Sequence, residues 1–259
     1  MCAATARDAC RQLVVLASLV FAGVAPSGAA EFNLTSLEWP PFAGQALPGK
    51  GVNAAVVAAA YSAVGDTVAV EFYPWARAVE IGLKRPGYVG YFPEYLSDSL
   101  RASCDFSRSI GESQLGFAER AAHPVRWESL ADLRALRIGT VNGYVNTDEF
   151  DGMAAAGTIR VEPVVDDSTN LRKLAGGRLD LAVIDRAVMA HLLRSEPALR
   201  PLAGALRFNQ RLLERKSLHV CFRRDAAGAA AKARMESGLD GIDLPLVIGR
   251  ATLRLGGTG

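Results

Sequence analysis

Residues 32–92 read, segment by segment, FNLTSL (32–37), VNAAVVAAAYSAV (52–64), VAVEFY (68–73), WARAVEIGL (75–83) and YVGYF (88–92). Short apolar runs of strand length alternate here with longer stretches in which apolar residues recur with the helical period. The order β-α-β-α-β predicts a largely parallel sheet that is covered by helices.

The same alternation returns in the second half of the chain. It predicts a helix at 129–136, a strand at 137–141, a strand at 159–165, a helix at 168–173 that Ser168 caps, a strand at 179–184 and a helix to residue 193. One more strand at 218–223 and an alanine-rich helix after Ala226 follow. Two α/β units of this kind predict two lobes.

Composition excludes several classes of protein. The 259 residues are 50% hydrophobic and 22% charged, which is typical of a chain with a sizeable core and not of a disordered, collagen-like or coiled-coil protein. Because 29 basic residues nearly balance 27 acidic ones and no basic block stands out, we expect no nucleic-acid partner.

The first thirty residues have the polarity order of an export signal. Arg7 and Arg11 precede an apolar run at 13–25 that is about 20 Å long as a helix, too short to cross a membrane comfortably. A transmembrane anchor is therefore the weaker alternative. Small residues at 27–30 predict cleavage after Ala29 or Ala30, and hence a periplasmic protein.

Two cysteines, Cys104 and Cys221, remain after this cleavage. In an oxidising compartment they either form one bridge, which would stabilise the fold by up to about 4 kcal/mol, or remain two buried thiols. The three histidines lack metal-ligand spacing, and no nucleophile lies beside a base. We expect no metal, no cofactor and no catalytic residue.

Two aromatic turns are candidate ligand contacts. Two prolines stiffen the turn at 38–42, so Trp39 and Phe42 are either a preorganised stacking face or part of the core. Trp75 and Arg77 follow Pro74 at a strand end, and they either face the same cleft or form a helix start packed on the core.

The segment Asn142-Gly143-Tyr144-Val145-Asn146 lies between a predicted strand and a predicted helix. Unpaired backbone N–H groups and the helix dipole favour an anion there, so a carboxylate could dock. The alternative is an ordinary turn in which Asn146 caps the helix.

Asp185 ends the most apolar strand of the chain, at 179–184. A carboxylate at such a place needs a cationic partner, because its burial without one costs several kcal/mol. The adjacent Arg186 and the ammonium group of a ligand are the two candidates.

These features, in this order, resemble the extracytoplasmic solute-binding proteins of polar amino-acid ABC transporters, a family 3-like group with the type II periplasmic binding fold. The resemblance rests on the aromatic turn at Trp39, Gly-Lys-Gly-Val at 49–52, Asp-Phe-Ser at 105–107, the segment at 130–143 and the Gly-Arg-x-Asp strand at 177–185.

The resemblance implies a monomeric, non-enzymatic clamp of two lobes that delivers its ligand to a membrane permease. Lobe 1 would comprise residues 31–116 and 217–259, and lobe 2 residues 117–216, with the chain crossing near 114–119 and returning near 215–218. Trp39 would stack on the ligand, the turn at 142–146 would receive its carboxylate, and Asp185 would pair with its ammonium.

The family's carboxylate-binding arginine is replaced here by Leu100. The nearest arginine, Arg101, is a candidate ligand contact, because a one-residue change in the loop could restore the grip on a carboxylate. Tyr91-Phe92-Pro93-Glu94-Tyr95 replaces a small hydroxyl-bearing ledge, which adds Tyr91 to the candidate ligand contacts. We therefore expect a small polar, amino-acid-like solute. The alternatives are an enzyme that is similar to cyclohexadienyl dehydratases, with Glu94 as its acid, and a sensory module.

Overall fold

In the computed structural model, residues 28–256 are described, and the predicted export signal lies almost entirely outside them. The elements are β1 (Glu31–Ser36), α1 (Val52–Ala63), β2 (Thr67–Phe72), α2 (Trp75–Lys84), β3 (Tyr88–Tyr95), β4 (Asp105–Phe106), β5 (Gly111–Arg120), β6 (Arg137–Val141), α3 (Asp148–Ala155), β7 (Arg160–Val164), α4 (Asp167–Ala175), β8 (Leu181–Asp185), α5 (Arg186–Ser195), β9 (Leu206–Phe208), β10 (Glu214–Phe222), α6 (Ala226–Asp240) and α7 (Leu244–Arg254).

The first lobe is built on β2, β1 and β3, which run parallel in that spatial order, with β10 antiparallel beside β3. Helices α1, α6 and α7 pack together, and α2 packs on β1 and β3. The second lobe is built on β7, β6 and β8, which are also parallel, with β5 antiparallel beside β8. The predicted two-lobed α/β fold is confirmed.

Two strands cross between the lobes and pair with each other. Residues 111–115 of β5 pair with residues 214–218 of β10. Beyond this shared segment, β5 continues along β8 of the second lobe and β10 continues along β3 of the first. This antiparallel pair connects the two lobes, and its strands are called the hinge strands below. The residue bounds predicted for the lobes remain a prediction.

Close backbone contacts explain two glycines of the first lobe. Gly51 precedes α1 with a φ of 98°, and a Cβ atom there would lie 2.6 Å from the carbonyl oxygen of Phe42. At Gly238 on α6, a Cβ atom would lie 1.8 Å from the carbonyl oxygen of Ala60 on α1. The two helices therefore approach each other more closely than any side chain at Gly238 would allow.

The structure corrects some predicted elements. The segment predicted as a helix at 129–136 forms only a short 3-10 helix, Leu130–Leu133. Ser168 does not cap α4; the Asp166 carboxylate does, accepting the backbone N–H of Thr169 at 2.7 Å. Helix α7 and strands β4, β5 and β9 were not predicted as elements.

Cys104 and Cys221 form a disulfide, with their Cα atoms 5.0 Å apart. Both lie in the first lobe, Cys221 on β10 and Cys104 just before β4. The chain between them includes the whole second lobe. No helix among residues 28–256 is long and apolar enough to span a membrane.

Candidate functional site

A small cavity lies where the two lobes meet, at the carboxyl ends of β1 and β3. In open α/β sheets this is the edge at which ligands bind. The cavity has a volume of about 30 Å³ and is continuous with open solvent. It is lined by Leu37, Trp39, Trp75, Pro93, Glu94, Tyr95, Tyr144, Val145 and Leu218.

Four aromatic side chains form most of the cavity wall. The rings of Trp39 and Tyr95 meet edge to face with centroids 6.1 Å apart. Trp75 of the first lobe meets Tyr144 of the second in the same way, at 5.9 Å, and its indole N–H donates to the carbonyl oxygen of Gly143 at 2.9 Å. The last two contacts join the two lobes.

The turn that follows β1 fixes Trp39. Its backbone N–H and carbonyl groups bond to Ala43 at 2.9 and 3.1 Å, which closes a tight loop around the two prolines. Phe42 packs against the Trp39 ring at 4.7 Å but does not line the cavity. Phe42 therefore supports the indole from behind, and its predicted contact with a ligand stays a prediction.

Glu94 is the acid of the first lobe. It is buried, and its carboxylate accepts the backbone N–H of Tyr95 at 2.8 Å and the hydroxyl of Tyr91 at 3.0 Å. Burial raises the pKa of Glu94 to about 7, and the positive charge of Lys216 opposes the rise. The side chain can therefore hold a proton near neutral pH.

Asp167 is a buried acid of the second lobe, and no motif of the sequence marks it. It begins α4 and is only 6% exposed, and among the described residues it has no ion-pair partner. Burial, followed by the charges of Asp185 and Asp166, raises its pKa to about 7, whereas a hydrogen bond from Trp39 opposes the rise. Asp167 begins α4 just after β7, at the same sheet edge as Tyr144, which lines the cavity.

Asp185 is buried, but its carboxylate is fully hydrogen-bonded by the protein. One oxygen accepts the backbone N–H groups of Ala187 at 2.6 Å and Val188 at 3.0 Å, which caps α5. The other accepts the hydroxyl of Ser113 at 2.6 Å and the N–H of Gln114 at 2.8 Å, both on the hinge strand β5. Burial raises the pKa of Asp185, and these four bonds oppose the rise.

The alternative of a pair between Asp185 and Arg186 is wrong. The Arg186 guanidinium lies 4.7 Å above the ring of Phe208 instead. Because four donors already occupy its lone pairs, Asp185 is also a poorer partner for an ammonium group than Asp167.

Neither predicted arginine reaches the cavity. Arg77 is exposed, with its guanidinium 5.3 Å from the ring centre of Tyr73. Arg101 is exposed and pairs with Asp98 at 2.6 Å on the outer surface. Arg101 therefore does not replace the carboxylate-binding arginine that is missing at Leu100.

The turn at 142–146 also differs from the prediction. Asn142 is exposed, and Asn146 donates through its side chain and backbone to the carboxylate of Asp151, at 2.7 and 2.8 Å. Thr147, not Asn146, caps α3. Because the first turn of α3 carries Asp148, Glu149 and Asp151, its N-terminus is already neutralised and favours no further anion.

Of the ten predicted ligand contacts, the structure brings three into the cavity wall: Trp39, Trp75 and Tyr144. Tyr91 lies beneath the wall, where its hydroxyl bonds to Glu94 and its ring meets Trp75 at 5.3 Å. Tyr95, Asp167 and the buried Lys216 were missed. Across residues 28–256, no group of three or more histidine, cysteine or acidic side chains could hold a metal ion.

We expect the stability of the protein to fall as the pH rises from 5 to 8. The folded chain keeps a proton on Glu94 up to about pH 7, whereas the unfolded chain releases it near 4.5. This stabilisation is fully present below pH 4.5 and is lost as the pH rises through 7, a change of about 2 to 3 kcal/mol at 1.36 kcal/mol per unit. Urea unfolding at pH 5, 6, 7 and 8 measures it.

Glu94→Gln should flatten this pH profile by about 2 kcal/mol, because glutamine cannot titrate. Two other buried groups also titrate. Asp167, whose pKa burial raises to about 7, adds a fall of the same sign, and His219, whose pKa burial lowers below the usual 6.5, adds a rise, so the difference between the two profiles isolates Glu94. Glu80→Gln, a change at an exposed carboxylate on α2, is the matched control and should leave the profile as it is. Equal profiles for wild type and Glu94→Gln would contradict the assignment.

No protein-family model matches the sequence, and no curated protein is significantly similar to it. Solved structures do match. An amino acid ABC transporter substrate-binding protein from Streptococcus pneumoniae bound to L-arginine covers 88% of this chain and 97% of its own, with a TM-score of 0.69 and 13% identity. The chain has the fold of a periplasmic binding protein.

Two further structures with the periplasmic binding protein fold have different roles. A histidine kinase sensor domain covers 88% of this chain and 96% of its own, with a TM-score of 0.71 and 19% identity. An ancestral amino acid-binding protein, a precursor of cyclohexadienyl dehydratase, covers 87% and 94%, with a TM-score of 0.66 and 12% identity. The resemblance stated from the sequence is thus confirmed at the level of the fold.

Proposed function

We propose that the protein is a periplasmic solute-binding protein that captures a small polar, amino-acid-like ligand between its lobes and delivers it to an ABC transporter. In this proposal the chain is exported, its signal is cleaved near Ala30, and it acts as a monomer. One observation carries the proposal: a cavity at the sheet edge has one wall from each lobe, and β5 and β10 cross between them. Closure about such a hinge encloses a ligand.

A second candidate function is an enzyme on the same scaffold. It is favoured by Glu94, a cavity-lining acid whose pKa burial raises to about 7, where it could give or take a proton. A sensory module is the third candidate, and it differs from a transport protein only in its partner.

Solute binding can be tested on the mature protein with a thermal-shift panel of amino acids, amines and carboxylates. A solute that binds only the folded state raises the melting temperature. X-ray scattering should then show that the same solute makes the molecule more compact. If no solute stabilises the protein or changes its scattering, the proposal fails, and turnover of a cyclohexadienyl acid would make the enzyme the first candidate.

Trp39→Ala should weaken binding of the solute that the panel identifies by about 30-fold, because a buried aromatic anchor is lost. Trp127→Ala is the matched control. Trp127 is half-buried beside Phe117 and Arg211, outside the cavity, so its loss should leave the affinity unchanged. Titration calorimetry measures both. Equal losses in the two variants would place the solute elsewhere.

A further inference from the structure

The charges around the cavity are mainly negative. Glu94 lines it, Asp167 follows β7 at the sheet edge from which Tyr144 lines it, and Asp185 ends β8 at that same edge. Of the described residues that line the cavity, none is basic. An anionic group in this cavity would therefore be repelled.

The nearest cation, Lys216, is already engaged. Its ammonium group lies 3.4 Å from the carboxylate of Glu214 and 3.5 Å from the carbonyl oxygen of Leu96, and 5.6 Å from the ring centre of Tyr95. Lys216 is also buried on the hinge strand. It offsets one acid of the first lobe, but it has no contact with Asp167.

Asp167 gives independent support for a cationic ligand. Asp167 is more than nine-tenths buried, and within the described part of the chain no cation pairs with it. Strand β7 pairs with β6 so that Val164 lies opposite Val141, and Asp167 and Tyr144 each follow three residues later. Asp167 therefore lies at the same sheet edge as Tyr144, which lines the cavity. A buried carboxylate of this kind is stabilised either by a proton or by a cation that enters the cleft.

The aromatic wall of the cavity also favours a cation. Trp39, Trp75, Tyr95 and Tyr144 line the space, and aromatic rings attract cations electrostatically through their faces. Neither a basic side chain nor a free helix N-terminus is available for a carboxylate, since Arg77 and Arg101 point outward and α3 begins with three acids.

We infer that the cleft takes an organic cation without a free carboxylate, an amine or quaternary ammonium, with Asp167 as its counter-ion and the four aromatic rings as its enclosure. This inference rests on the proposed function, because it names the class of solute for that same site. It departs from the amino-acid ligand that the resemblance implies.

The test compares compounds in pairs that differ by one carboxylate: choline with glycine betaine, putrescine with L-ornithine, and agmatine with L-arginine. Titration calorimetry of the mature protein at pH 8 measures each affinity. In at least one pair the carboxylate-free cation should bind more than about tenfold more tightly, because a carboxylate would be placed against like charges. Tighter binding of the carboxylate-bearing member in every pair that binds would overturn the inference.

Asp167→Asn should weaken binding of the preferred cation by about 30-fold, because the buried counter-ion is lost without a change in shape. Asp166→Asn is the matched control: Asp166 is the adjacent, exposed carboxylate, and asparagine caps a helix as well as aspartate does. Its effect should be less than about threefold, as expected for a screened surface charge. Equal effects of the two variants would overturn the role of Asp167.

Thermal melting of Asp167→Asn without added solute shows whether the variant folds, and we expect its melting temperature to be at least that of the wild type. The outcomes also separate the two proposals. Binding of amino acids alone, with closure in scattering, overturns the inference and leaves the proposed function standing. If none of the six compounds and no member of the amino-acid panel binds or causes closure, the inference and the proposed function are both overturned.

Discussion

Replacing Cys104 and Cys221 together by alanine should lower the free energy of unfolding by about 4 to 5 kcal/mol. The disulfide joins residues separated by 117 positions. In the chain-entropy description, a bridge that closes a loop of about 100 residues lowers the conformational entropy of the unfolded chain. This destabilises the unfolded chain by about 4.7 kcal/mol. Urea unfolding of the oxidised wild type and of the double variant measures the difference.

A reducing agent gives the control for this experiment. Reduced wild type should unfold at about the same urea concentration as the double variant, whereas the variant itself should not respond to the reductant. A loss below about 1 kcal/mol would show that the bridge constrains the unfolded chain little. The single replacement Cys104→Ala should cost nearly as much as the double one, because one cysteine cannot form the bridge.

The alternation of strands and helices could be predicted because its signal is local. The strand at 137–141 was predicted with the bounds of β6, and the helix at 52–64 differs from α1 by one residue. β5 was missed as a strand because GESQLGFAER has no clear apolar run; it is held by pairing with β8 and β10, which the sequence does not display. Long-range pairing therefore limited the prediction of the hinge.

Helix caps were predicted less well, since several residues that can cap stand side by side. Ser168 and Asp166 are both suitable, and the structure uses Asp166. Asn146 and Thr147 are both suitable, and the structure uses Thr147. The side-chain direction that decides between such neighbours depends on the packing of the whole helix.

The candidate site was only partly predictable for a related reason. Trp39, Trp75 and Tyr144 were found because prolines, strand ends and a turn mark their positions. Asp167 was missed because the pair Asp166-Asp167 does not show which carboxylate caps α4 and which is buried between the lobes. Arg101 does not reach the cavity, because the turn that carries it directs its side chain to Asp98 on the surface.

Replacement of Asp185 should have the second large effect, and the hydrogen bonds of its carboxylate indicate that the stability of the protein should be measured as well as ligand binding. If the ligand were the only partner of the Asp185 carboxylate, replacing Asp185 would affect ligand binding alone. Asp185 instead accepts four hydrogen bonds that join the start of α5 to the hinge strand. The hydroxyl of Ser113 also contacts the hydroxyl of Tyr95 at 2.7 Å, so the same network reaches the cavity wall of the first lobe.

Asp185→Ala should therefore lower the free energy of unfolding by about 4 kcal/mol, because it leaves four donors without an acceptor, two of them at a helix N-terminus. Asp185→Asn should cost about half as much, since one amide oxygen can still accept two of the four bonds. The matched control is Asp243→Ala, which removes the exposed cap of α7, a single bond to Leu246 at 3.0 Å, and should cost about 1 kcal/mol. If Asp185→Ala costs no more than Asp243→Ala in urea unfolding but abolishes solute binding, the carboxylate serves the ligand and not the hinge, and the assignment of the counter-ion to Asp167 fails with it.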